Sequence, residues 1–226
     1  MIYKILFAAS LLCFNTIAQA DSTANSKLAR QPANVPHSSL TTTVKIADKI
    51  VVLSGNQQVT GNKAPQFTVV DERFNPVTLA DFAGKILVIS TVPSIDTGTC
   101  SLQTKRFNDL VAEFPNQVKM LTISADLPFA QKRFCYDEGV SKVQLLSDSV
   151  WRDFALKYGL LIKDMGLLTR SVIIIDQQGI IRYQQIVEQL SLQPDYDQVL
   201  LALQSITDET PEPTENEPTE PTPNRQ

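Results

Sequence analysis

Cys100 and Cys135 are the two residues of this 226-residue chain best placed to do chemistry. Sulfur offers two options: a structural staple, as in most cysteine pairs of exported proteins, or a reactive thiol. The setting of Cys100 favours the second. It sits in TVPSIDTGTC, directly after an apolar, β-branched run and within the first turn of a predicted helix. Unpaired N–H groups and the helix dipole favour an anion at such a place, and the thiolate is the nucleophilic form of cysteine. Cys135 follows Phe134 on a second predicted helix, where a cysteine can also serve as a small apolar residue in a buried stripe.

Other chemistries lack their residues. His37 is the only histidine and lies among Ser, Thr, Asn and Pro, a poor setting for a general base or a metal ligand. No phosphate loop, metal-ligating cluster or serine triad stands in the sequence, and no cofactor is expected.

The elements that must position Cys100 follow from periodicity. VKIADKIVVL reads as an N-terminal β-hairpin around Ala47-Asp48-Lys49, and QFTVVD as a further strand. KILVIST, residues 85–91, is continuously apolar and β-branched, as in a strand buried on both faces. Phe107, Leu110, Val111 and Phe114 fall at i, i+3, i+4 and i+7 and predict a helix over 98–114. VKMLTIS is the next buried strand. Leu127, Ala130 and Phe134 mark a second helix, capped by Asp126, with Pro128 in its first turn and Gly139 as its stop. Trp151, Phe154, Ala155 and Tyr158 mark a third helix ending at Gly159. SVIII and IIRYQQIV flank a turn at Asp176-Gln177-Gln178-Gly179 as a second hairpin, and Tyr196, Val199, Leu200 and Leu203 mark a closing helix. This order is that of an α/β thioredoxin-like fold, a mixed sheet with helices on both faces and an N-terminal β-hairpin.

The ends differ from this core. Residues 1–20, MIYKILFAASLLCFNTIAQA, have one lysine, an apolar run and a small-x-small ending at Ala18 and Ala20, the pattern of a cleavable signal peptide. The run is broken by Asn15 and Gln19, too short for a membrane span. Cys13 goes with it, preceded by Leu12 where a lipid-attachment site wants a small residue. The expected location is therefore periplasmic or secreted. Residues 21–40 read as a flexible linker, 41–207 as one domain with one core, and 208–226 as a disordered acidic tail rich in Pro, Glu and Thr. The formal net charge of -4 is carried by that tail. The near-neutral domain gives no reason to expect nucleic acid or a membrane surface as a partner.

Pro93, Thr97 and Cys100 stand in the pattern P-x-x-x-T-x-x-C, within PSIDTGTC followed by KRFN. SADLPFAQKRFC ends at Cys135, and RSVIIID and PDY follow near the C-terminus. In these blocks, over residues 44–203, the chain resembles the thiol peroxidases, the atypical two-cysteine peroxiredoxins. Thr99 departs from the valine expected beside the nucleophile. The resemblance implies a peroxidase acting on hydrogen peroxide and organic hydroperoxides. Cys100 would be peroxidatic, Thr97 would hydrogen-bond its sulfur and the peroxide, Pro93 would shield the site from water, and Arg170 would supply positive charge. Cys135 would then condense with the Cys100 sulfenic acid as an intramolecular disulfide before over-oxidation. A thioredoxin-like reductant and a homodimer are implied as partners.

Two other readings remain open at this point. A disulfide oxidoreductase of the thioredoxin type would share the fold but should show C-x-x-C, and Thr97 stands where its first cysteine belongs. A non-enzymatic secreted domain could use Cys100 and Cys135 as a staple. For Thr97 the plain alternative is a helix N-cap, and for Arg170 a surface ion pair.

Overall fold

The structure is a computed structural model that describes residues 42–209. The leader, the linker with His37, and the tail beyond Glu209 lie outside those residues. Along the described chain run β1 (Thr43–Ile46), β2 (Lys49–Ser54), β3 (Thr68–Val70), β4 (Pro76–Thr78), β5 (Ile86–Thr91), α1 (Gly98–Leu110), β6 (Val118–Ser124) and α2 (Pro128–Glu138). They are followed by β7 (Gln144–Ser147), α3 (Asp153–Lys157), β8 (Leu161–Ile162), β9 (Ser171–Ile175), β10 (Ile181–Ile186) and α4 (Tyr196–Glu209).

β1 and β2 form the expected hairpin, and β8 extends it to three strands. The main sheet has seven strands in the order β10-β9-β5-β6-β7-β3-β4. Its centre is parallel, β5 with β6 and β6 with β7, and its flanks are antiparallel. All six residues of β5 are buried, because alternate side chains enter two separate apolar clusters. Leu87 and Ile89 pack with Phe67, Phe154 and Tyr158 beside α3. Ile86 and Val88 pack on the opposite face with Phe107, Phe134, Val199 and Leu203 from α1, α2 and α4. Helices thus cover both faces of the mixed sheet, as the thioredoxin-like fold requires.

Several boundaries differ from expectation. The α-helix that carries Cys100 ends at Leu110, and Val111–Glu113 tightens to a 3-10 turn. Phe114 is extended because it precedes Pro115, which disfavours helical backbone at the residue before it. Asp126 does not cap α2. The N-cap is Leu127, and the Asp126 carboxylate turns instead to Ser94 and Ile95. Trp151 lies outside α3 and is 48% exposed, since Arg152 adopts a left-handed backbone and starts the helix only after itself. α4 continues through Asp208 and Glu209, two residues into the acidic stretch, where Glu209 accepts a 2.6 Å bond from Arg182.

Candidate active site

The chain leaves β5 with Pro93 buried and is turned into α1 by Asp126. Ser94 Oγ donates to Asp126 Oδ1 at 2.7 Å and the Ile95 N–H donates to Oδ2 at 2.9 Å. Thr97 is the N-cap of α1, with an extended backbone, and its carbonyl accepts the Ser101 N–H at 2.9 Å. This places Cys100 third in the helix, where backbone N–H groups have no intrahelical partner.

Cys100 is 1% exposed, and Arg170 Nη2 donates to its sulfur at 3.3 Å. Arg170 directly precedes β9 and is itself 1% exposed, so it is no surface ion pair. Nε and Nη2 both donate to the Leu190 carbonyl, at 3.1 and 2.9 Å, and Nη1 donates to Gln103 Oε1. Gln103 is fixed in turn by Ser90, its Nε2 donating to Ser90 Oγ at 2.6 Å. The loop carrying Leu190 is pinned by the N-terminal hairpin, since the Leu190 N–H donates to the Lys45 carbonyl at 2.9 Å. It is tied to α1 as well: Gln193 Nε2 donates to the Thr99 carbonyl at 2.9 Å, and the Tyr196 hydroxyl donates to Gln193 Oε1 at 2.6 Å. Burial pushes the Tyr196 phenol up to about 12, against the pull of Arg106 and Arg170, so it stays a donor.

Thr97 differs from what the resemblance implied. Its side chain is exposed, and its one hydroxyl proton goes to the Ser94 carbonyl at 3.2 Å rather than to sulfur. It serves as the N-cap by backbone alone, with no side-chain cap bond. A depression of about 260 Å³ opens at the start of α1, lined by Ile95, Thr97, Ser101 and Phe134 among others.

Cys135 is half-buried in α2 and borders the same apolar cluster that contains Cys100. It opens on a different cleft, of about 430 Å³, between α2 and the turn joining β3 to β4. Burial, then the Glu72 carboxylate, push its thiol up. Both cysteines are free thiols. A sulfur beside a helix N-terminus and an immobile guanidinium is equipped to attack an electrophile and to stabilise the anion that departs.

Residues 60–184 match the AhpC/TSA family. The thiol peroxidase of Oceanobacillus iheyensis is 46% identical over 150 residues, covering 66% of this chain and 91% of that protein. The thiol peroxidase of Bacillus subtilis is 41% identical over 156 residues, 69% of this chain and 93% of its own. The chain belongs to the AhpC/TSA family. Among solved structures, a peroxiredoxin-like protein from Aquifex aeolicus superposes with a TM-score of 0.69 at 36% identity, covering 73% of this chain and 96% of that one.

Seen as a member of the AhpC/TSA family, the chain carries site residues that sequence reasoning passed over. Gln103 is fully buried and bridges Ser90 to Arg170. A signal for it existed: Cys100, Gln103, Thr104 and Phe107 follow helical spacing, so a polar amide falls on the buried stripe. The Leu190 carbonyl and Asp126 left no such signal, because each acts on a partner far away in sequence.

Proposed function

We propose that the chain is a thiol-dependent peroxidase in which Cys100 reduces a hydroperoxide and Cys135 resolves the product. The observation that carries this reading is the 3.3 Å contact between Cys100 Sγ and a fully buried Arg170 at the start of α1. The Cys100 thiolate attacks the distal peroxide oxygen. An S–O bond forms as the O–O bond breaks, two electrons pass from sulfur to the departing oxygen, and that oxygen takes a proton to leave as alcohol or water. Arg170 and the helix N–H groups stand where this negative charge develops. Pro93, buried in the segment that leads from β5 into α1, would limit water at the reacting sulfur. Thr97 can direct its hydroxyl to the peroxide by releasing the Ser94 carbonyl.

Resolution follows on sulfur. Cys135 attacks the Cys100 sulfenic acid, an S–S bond replaces the S–O bond, and hydroxide leaves with the Cys135 proton as water. A thioredoxin-like dithiol then takes over the disulfide and is itself oxidised. The substrates are hydrogen peroxide and organic hydroperoxides, and the working form is a homodimer. The leader pattern of residues 1–20 supports action in the periplasm or outside the cell.

A coupled assay tests the reading. With a thioredoxin, its reductase and NADPH, the protein should consume hydrogen peroxide catalytically and Cys100→Ser should not. Equal consumption by both proteins would remove Cys100 from the reaction.

A further inference from the structure

The turn between β3 and β4 touches α2 on the side of that helix that carries Cys135. Phe129, Lys132 and Cys135 follow at three-residue spacing and share this side. The Phe74 ring meets Phe129 with centroids 5.2 Å apart, and Glu72 Oε1 lies 3.7 Å from Lys132 Nζ. Glu72, Lys132 and Cys135 line the same 430 Å³ cleft.

Phe74 is also strained. Its φ of 64° is a left-handed backbone that bulky residues rarely adopt. Asp71 enforces it: Oδ1 accepts the Arg73 and Asn75 N–H groups, each at 2.8 Å, and Oδ2 accepts Asn75 Nδ2 at 2.9 Å. A half-exposed aromatic ring is thus held in a costly conformation, and its ring partner is the first turn of α2.

We infer that this turn is a clasp on α2, in which Phe74 and Glu72 are positioning residues that set how fast Cys135 is released to meet an oxidised Cys100. The inference rests on the reading of Cys135 as the resolving thiol. Cys100 faces Arg170 while Cys135 opens on the Glu72 cleft, and on this inference the helix leaves the turn before the sulfurs bond. The charged groups facing Cys135 in that cleft are Asp71, Glu72 and Arg73 from the turn and Lys132 from α2; β7 contributes Gln144 and Leu145. Glu72 lies 3.7 Å from both Arg73 and Lys132, and it adds to burial in opposing ionisation of Cys135 while the helix stays docked. A tight clasp keeps the sulfenic acid waiting, and a waiting sulfenic acid meets a second peroxide.

The test uses the full chain, one equivalent of hydrogen peroxide, and timed alkylation read by mass spectrometry. Phe74→Gly removes the ring while glycine accepts the left-handed turn, and Phe129→Ala removes the other ring from the helix side. Each should speed Cys100–Cys135 disulfide formation by roughly two- to tenfold, the range of an aromatic pair. The rate of Cys100 oxidation should stay unchanged, the double variant should gain nothing further, and Phe74→Tyr should keep the wild-type rate. At excess peroxide the fraction of Cys100 driven to sulfinic acid should fall in the two single variants. Glu72→Gln should move alkylation of Cys135 to lower pH. A disulfide that forms at the same rate in wild type and Phe74→Gly overturns the clasp alone. A wild type that forms no Cys100–Cys135 disulfide overturns the clasp together with the resolving role of Cys135.

Discussion

Arg170 holds Cys100 Sγ at 3.3 Å, and its other bonds end on neutral oxygens, the Leu190 carbonyl and the Gln103 amide. No described carboxylate pairs with it. Its positive charge is therefore directed at the sulfur and at whatever anion forms there. Three parts of the fold immobilise it: Gln103 on α1, the Leu190 loop pinned by the β1 strand, and β9 itself. A charge fixed before the reaction needs no reorganisation during it.

Arg170→Gln should lower the second-order rate of Cys100 oxidation by about 10²- to 10³-fold, the typical loss of one donor to a developing anion. Arg170→Lys should recover little, because a single ammonium cannot hold Gln103, Leu190 and the sulfur in one fork. Stopped-flow oxidation with one equivalent of peroxide checks both; a lysine variant near the wild-type rate would show that charge alone suffices.

Disulfide formation should loosen two segments. The cysteines stand on separate helices, and a disulfide needs Cα atoms about 4.4–6.8 Å apart. Helix termini are the parts that open at least cost. Amide exchange should therefore be faster in the oxidised than in the reduced protein over residues 97–103 and 130–139, and the reduced form should melt at the higher temperature. Matching protection over both segments would mean that the sulfurs are already placed to bond.

The strands and helices that position Cys100 were legible because their signals are local. Residues 86–89 of KILVIST are apolar without a break, and β5 is buried on both faces. Gly139 stops α2 with a left-handed backbone, as a C-cap glycine does. β4, β7 and β8 escaped because runs of two to four residues show no usable period. Asp126 was misread for a physical reason: it stands before Leu127-Pro128 like a cap, yet Ser94 and Ile95, brought alongside by the parallel pairing of β5 and β6, compete for the same carboxylate. Thr97 could be placed by pattern, but the partner of its hydroxyl could not.

Asp148 gives a pH signature. Burial pushes its carboxyl up to about 6 from the usual 3.8, although the Ala155 and Phe154 N–H groups donate to it. The folded chain therefore keeps this proton to higher pH than the unfolded chain does. The stability contributed by neutral Asp148 is complete below 3.8 and is lost as pH rises through about 6. Relative to Asp148→Asn, which does not titrate, the wild type should lose melting temperature between pH 4 and pH 7. A constant difference across that range would contradict the shift.

The most direct test of the central claim is a thiol titration of the reduced protein with one equivalent of hydrogen peroxide, read by intact mass after alkylation. Wild type should lose both free thiols and gain one Cys100–Cys135 disulfide. Cys135→Ser should complete a single reduction and stop with Cys100 as a sulfenic acid, trapped by a dimedone-type reagent. Cys100→Ser should leave Cys135 free and the peroxide unconsumed. A wild type whose two thiols are unchanged by peroxide, or a Cys100→Ser variant that consumes it at the wild-type rate, would contradict the assignment.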